Sequence, residues 1–344
     1  MSTDHIRLGV VGAGAIARAE HLPRFRGIEG VEIVGVANSS VESTRAVAAA
    51  EGIATAYGDW HELLADRSID AVLVATRPDL HAPVTVAALE AGKHVLVEAR
   101  MADTLAAARR MVAAAGARPD RVAALVPSSF SLWADRTIIR RLGDGSIGAL
   151  RHARVAWDAS GSVAPSEWWR WSRRVSGVNV MALGIVLEAM IRWLGPVTGV
   201  QTSARILMPR KPGPGGDIDA DVADHILVTA AFGEVTAALE MSVATVHHGS
   251  RIELIGDRGS LELDVAAGTL TLVERGGGRT DVAIAPEDRL GWTAELDFVS
   301  AIRGGPSGTL TDFSAGIAYM AAVAASDTSA RTGRRVAVSP DGPS

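Results

Sequence analysis

Residues 94–101 read HVLVEARM, an apolar run that stops at an acid, a methyl group and a guanidinium. Such a run reads as a buried strand, so Glu98 and Arg100 stand where the strand meets solvent. Glu98 is a candidate base. Arg100 stays protonated, so it can clamp a carboxylate or stabilise an oxyanion but cannot accept a proton. It could equally pair with Glu98 or cap the helix expected to begin near Asp103. His81 carries the side chain that titrates near neutrality and so suits proton transfer, against the commoner case of a histidine held by a structural hydrogen bond. The tryptophans of SEWWRWSRR (166–174) offer flat faces for stacking on a sugar or a heteroaromatic ring, or for filling a core. Asn179 could orient a ligand hydroxyl or cap the helix that follows.

These side chains need a frame. Over residues 1–125, the β-branched runs 6–11, 31–37, 70–76, 94–98 and 121–126 alternate with helix-like stretches at 15–26, 41–51, 79–91 and 103–116. That rhythm predicts βαβ units and a parallel sheet covered on both faces. Ligands bind along the carboxyl edge of such a sheet, which is where Thr76, Arg77, Pro78, His81, Glu98 and Arg100 fall.

The first strand runs straight into Gly12-Ala13-Gly14-Ala15-Ile16-Ala17. Gly12 permits a tight turn, Gly14 lets the backbone approach a pyrophosphate, and Ala17 allows close packing of helix on strand. The amides around Ala15 and Ile16 would open a helix whose positive end favours phosphate. The second strand ends at Asn38-Ser39-Ser40, where an acid would normally grip a ribose 2′-hydroxyl and repel a 2′-phosphate. Asn38 can bind a hydroxyl without repelling phosphate, and Ser39 and Ser40 could donate to one. The cofactor expected is therefore NAD(P)(H), with a lean towards NADP. Capping of the next helix by these residues is compatible with either form.

Composition narrows the class. The chain has 344 residues, 48% of them apolar and 21% charged, with a net charge of −5 and no cysteine. Disulfide and thiolate chemistry are excluded, and the cytoplasm is the simplest location. No apolar run approaches the roughly 20 residues of a membrane span, and the N-terminus lacks a signal-peptide pattern. The net charge argues against nucleic acid as a partner, the cluster Arg170, Arg173 and Arg174 notwithstanding. His225, His247 and His248 lie in predicted strands without metal-ligand spacing, so no metal is implied.

GAGAIA, the TRPDLH segment at 76–81, Glu98 and the Trp169-Arg170 pair together resemble the Gfo/Idh/MocA family of oxidoreductases (glucose-fructose oxidoreductase, inositol dehydrogenase and MocA) over nearly the whole chain. The resemblance implies an N-terminal Rossmann dinucleotide-binding domain, here 1–125. A C-terminal α/β domain with a large, mostly antiparallel sheet, 126–344, would bind substrate and mediate oligomerisation. The strands expected there start near 150, 222, 234, 251 and 259, and 208–219 reads as a breaker-rich loop. The resemblance also implies that Glu98 contacts the nicotinamide ribose and that Trp169 and Arg170 lie on the cofactor side. A homodimer or homotetramer through the C-terminal sheet is expected, since a broad apolar sheet face needs a cover.

The chain departs from the family pattern at its proton-transfer positions. The usual Glu-Lys-Pro is Glu98-Ala99-Arg100, and the usual Asp-x-Gly-x-His falls on Ala182, Gly184 and Val186, with a later aspartate falling on Ala189. On a helix, 186 and 189 lie within about 40° of Ala182, and Glu188 lies about 120° away, towards the other domain or solvent. Ala182, Val186 and Ala189 are thus expected to face substrate without catalysing. Glu98, His81 and Arg100 remain as the catalytic candidates, with Arg100 and Asn179 also binding a small polar substrate, sugar- or cyclitol-like, or an imine or carbonyl. Two other readings stay open: a nicotinamide-binding protein without redox turnover, and a redox-neutral lyase or hydrolase with retained cofactor.

Overall fold

In the computed structural model, residues 5–244 and 249–339 are described. His247 and His248 lie outside the described residues. The chain forms two compact units, Met1–Pro127 with Thr293–Ile317 and Ser128–Trp292 with Ala318–Ser344. The single cut expected after residue 125 therefore misses a return. Residues 293–317 pack with the first unit because their apolar side chains Phe298 and Val299 are buried. Gly316 also lies so close to Leu125 that a Cβ there would fall 2.5 Å from Leu125 Cδ1.

In the first unit, β1 (Ile6–Val11), β2 (Val31–Ala37), β3 (Thr55–Ala56), β4 (Ala71–Val74), β5 (His94–Val97) and β6 (Ala123–Leu125) make a parallel sheet in the order β3-β2-β1-β4-β5-β6. The short β17 (Thr311–Asp312) adds antiparallel to β6. All four residues of β4 are buried, as a strand covered on both faces requires. Helices Val41–Glu51, Pro78–Glu90 and Leu105–Gly116 follow the alanine-rich stretches; Ser40 and Thr104 cap two of them by accepting backbone N–H groups. The stretch 15–26, expected as one helix, contains a π-helical turn at Ala17–His21 before Leu22–Arg26.

In the second unit, β7 (Leu150–Asp158), β8 (Gly199–Arg205), β11 (His225–Phe232), β12 (Val235–Ser242), β13 (Arg251–Gly256), β14 (Gly259–Asp264), β15 (Thr269–Glu274), β16 (Arg279–Asp281) and β18 (Val336–Ala337) form one sheet. Its order is β16-β15-β14-β13-β7-β12-β11-β8-β18, antiparallel except between β7 and β12. Alternate residues such as Val155, Val228, Leu239 and Leu254 supply the buried face. The opposite face is mixed rather than broadly apolar: Gln201, Ser203, Thr229 and Arg154 are exposed on it beside Leu227. Residues 208–219, expected as a loop, hold the hairpin of β9 (Arg210–Gly213) and β10 (Gly216–Asp219). Its anchor is Lys211, fully buried, whose ammonium donates to Asp224 at 2.6 Å and lies 4.8 Å from the Trp171 ring centre.

Candidate active site

The turn after β1 is shaped by its glycines. Gly12 has φ +87, and a Cβ there would fall 2.7 Å from the Ala75 carbonyl oxygen, so a side chain is excluded by backbone. Gly14, by contrast, has open space where a Cβ would stand, and Gly14, Ala15 and Ile16 are all exposed, Ile16 by 54%. An exposed backbone cradle opening a helix suits a pyrophosphate. Asn38 Oδ1 accepts the Ala13 N–H at 2.7 Å, so this residue braces the turn and keeps its amide Nδ2 for a ligand. Ser40 caps the following helix, accepting the Ser43 N–H at 3.1 Å, and Ser39 is exposed.

At the end of β5, Glu98 is held by a residue not singled out in the sequence. His21 Nε2 lies 2.7 Å from Glu98 Oε1, and His21 Nδ1 lies 2.5 Å from Glu295 Oε1. His21 and Glu295 are fully buried, whereas the Glu98 side chain keeps 18% of its surface exposed. Burial alone would depress the imidazole, but the hydrogen bonds from Glu295 and then Glu98 outweigh it and raise His21 to about 9. The ring is therefore a cation at neutral pH, donating to a carboxylate from each nitrogen. His21 lies four residues after Ala17, one turn on along the same helical face, which was the one available signal in the sequence. Glu295 comes from helix Ala294–Ile302, far along the chain.

His81 does not meet its catalytic expectation. It is 1% exposed, with Nδ1 2.8 Å from the Arg100 carbonyl oxygen and Nε2 2.9 Å from that of Thr76. Burial, its dominant influence, holds its pKa below the ordinary histidine value against the two carbonyls, which favour the protonated ring; the neutral ring donates to only one of them. A ring enclosed between two carbonyls ties the ends of β4 and β5 together and has no free nitrogen for a ligand. Arg100 is buried, 3% exposed, and follows a cis Ala99–Arg100 peptide bond. Thr76 and Arg77 are half-buried at the β4 edge, and Pro78 starts the helix behind them.

In the second unit, Trp169 and Arg170 are half-buried in a short 3-10 helix, Pro165–Trp171, with the guanidinium 4.4 Å from the Trp169 ring centre and paired with Glu167. Trp171 is a core residue, 1% exposed. Asn179 is also 1% exposed; its amide donates to the Ser176 carbonyl at 2.8 Å and closes the 176–179 turn, and the helix Leu183–Leu194 takes Ala182 as its N-cap, so the cap expected of Asn179 does not form. Val186 and Ala189 are fully buried, which corrects their expected exposure to substrate; Ala182 stays half-buried. Glu188 is buried as well, against the expectation that it faces the other domain or solvent. It accepts the Ser128 N–H at 3.0 Å and pairs with Arg192 at 2.9 Å. Arg192 reaches Asp135 at 2.8 Å, so the helix end carries a closed polar network.

Among the described residues there is no group of three His, Asp or Glu that could hold a metal ion. No helix among them is long and apolar enough to cross a membrane.

Residues 6–125 match GFO_IDH_MocA, described as an oxidoreductase family with an NAD-binding Rossmann fold, and residues 136–262 match the GFO/IDH/MocA C-terminal domain. The chain is 30% identical over 324 residues to the dTDP-3,4-didehydro-2,6-dideoxy-alpha-D-glucose 3-reductase of Streptomyces antibioticus, covering 90% of this chain and 92% of that one. It is 31% identical over 306 residues to the 1,5-anhydro-D-fructose reductase of Ensifer adhaerens, covering 87% and 88%. Among solved structures, levoglucosan dehydrogenase in complex with NADH and levoglucosan superposes with a TM-score of 0.83 at 20% identity, over 97% of this chain and 99% of that one, a likeness of fold.

Proposed function

This chain belongs to the Gfo/Idh/MocA family of oxidoreductases, with an NAD-binding Rossmann domain, and from that premise we propose that Glu98 is the proton-transfer group for hydride exchange between a nicotinamide and a sugar- or cyclitol-like substrate. The observation that carries the reading is the setting of Glu98. It is a part-exposed carboxylate at the carboxyl edge of the parallel sheet, held by a buried His21 that is itself held by Glu295. Two relatives named for hexose-derived substrates support the substrate class.

When bound, the nicotinamide accepts or supplies the hydride. The Gly12–Ala17 turn would hold the pyrophosphate, and Asn38 Nδ2 would meet the adenosine ribose. As hydride leaves a carbinol carbon, the hydroxyl proton passes to Glu98; in reduction the same proton returns to the carbonyl oxygen. His21 is a positioning residue: its N–H fixes Oε1 and leaves Oε2 for the substrate. Ala99 cannot serve in this step, and His81 is occupied with backbone. The lack of an acid at Asn38 favours acceptance of a 2′-phosphate, so NADP is the cofactor preferred in this reading. Self-association through the nine-stranded sheet belongs to the same proposal, and light scattering at micromolar protein tests it.

A polyol and ketose screen followed by reduced-nicotinamide absorbance tests the catalytic assignment. Glu98→Gln should lower kcat on any active substrate by about 100-fold or more with nucleotide affinity kept; unchanged turnover would remove Glu98 from the mechanism. Nucleotide binding without turnover of any substrate would favour the second reading, a nicotinamide-binding protein without redox activity. The blank helix face at Ala182, Val186 and Ala189 is what motivates it.

A further inference from the structure

We propose that the first unit carries a second binding site, for a small organic monocarboxylate, in a cavity at the amino-terminal edge of its parallel sheet. The cavity, of about 590 Å³, is lined at the strand starts by Ile6, Asp70 and His94. Gly12 and Glu98 follow the opposite ends of β1 and β5, so roughly 13 Å or more of strand, at about 3.3 Å per residue, separates the two sites.

The argument rests on donors that lack an acceptor. The Val122 N–H donates to His94 Nδ1 at 2.9 Å, so that nitrogen is unprotonated and the proton of the neutral ring sits on Nε2. Burial, and next the Arg121 charge, push His94 down to about 4, which keeps the ring neutral at physiological pH. His94 Nε2–H then faces Arg121 Nη1 at 3.5 Å, donor against donor. Arg121 lines the cavity with a side chain that is 32% exposed, although its Nε is itself buried out of a ligand's reach. A planar carboxylate offers two acceptor oxygens to such a pair.

Charge and wall chemistry narrow the ligand. Asp70 is already held by Arg7, at 3.1 Å and 3.2 Å, while Asp120 lies 3.3 Å from Arg121 and is shared with Arg118. Lys93 spends two of its three donors on the Asp66 and Ile69 carbonyls. Arg67, exposed, also lines the cavity, so the wall carries more cation than acid and suits an anion, and the apolar walls Ile6, Leu64, Ile69 and Ile302 favour an organic body over a bare inorganic one. The volume falls in the range of small-molecule sites.

The test is a titration of the full chain with benzoate, benzamide and inorganic phosphate, read by calorimetry and by histidine-selective NMR. Benzoate should bind and shift the His94 Nε2 resonance, with benzamide and phosphate weaker by about tenfold or more. Arg121→Leu should weaken benzoate by about tenfold or more, and Arg121→Lys, which keeps charge but loses the fork, by less. Gly14→Val, in the cofactor turn, should leave benzoate affinity unchanged. Benzamide or phosphate binding as well as benzoate, an unmoved His94 resonance, or full affinity in Arg121→Leu would overturn the proposal. The NMR readout on the unsubstituted chain decides the matter if a variant misfolds.

Discussion

His21 Nε2 stands 2.7 Å from Glu98 Oε1, and the same ring reaches Glu295, so one buried imidazolium serves two carboxylates. The part-exposed carboxylate is thereby oriented by groups that solvent does not reach, which is how a site keeps geometry without a rigid first contact.

That arrangement sets a pH dependence. His21 is raised to about 9 in the folded chain from an ordinary value near 6.5, so the folded state holds a proton that the unfolded chain releases between those values. Its contribution, roughly 3 kcal/mol, is complete below about pH 6.5 and lost as pH rises through about 9. His94 acts with the opposite sign: its folded pKa of about 4 means that stability falls as pH drops from about 6.5 towards 4. Denaturant titrations across pH should show a maximum near pH 6.5–7, and His21→Gln should flatten the alkaline limb.

The two motif glycines should separate fold from binding. Gly12→Ala meets the Ala75 carbonyl at positive φ and should cost about 1–3 kcal/mol, read as a lower Tm. Gly14→Val enters open space, so Tm should hold while nucleotide affinity falls by about tenfold or more.

Asn38→Asp keeps an oxygen for the Ala13 N–H and adds a negative charge where a 2′-phosphate would lie. NADPH affinity should fall by about tenfold or more while NADH affinity is kept or improved, as measured by calorimetry. Equal effects on both cofactors would place Asn38 away from the ribose.

Local pattern made much of the first unit legible. β1 and β2 have the bounds read from their β-branched runs, and the helix at 41–51 runs between Ser40 and Gly52 as its capping residues dictate. What the pattern did not contain were partners distant in the chain. Glu98 was visible as the end of a strand, but its setting depends on Glu295, and His81 looked like an acid or base because the carbonyls enclosing it carry no residue signature. The hairpin at 210–219 resembled a loop because its stability comes from Lys211 meeting Asp224 and Trp171 in the core. Val186 was expected to face substrate and Glu188 the other domain or solvent, yet both are buried, because helical angle alone cannot say which side is covered.

Lys211→Ala should leave Asp224 buried without its cation and cost about 3–5 kcal/mol in a denaturant titration. The Leu207 and Met208 amides that also bind Asp224 soften but do not replace the loss.

The measurement that bears most directly on the central claim is a calorimetric titration of purified, nucleotide-free protein with NAD, NADH, NADP and NADPH, alongside Gly14→Val. Saturable binding of a nicotinamide form by the native chain, lost in Gly14→Val, is the predicted result. No binding of any form by a folded native chain would contradict the assignment of the Gly12–Ala17 turn and with it the redox function.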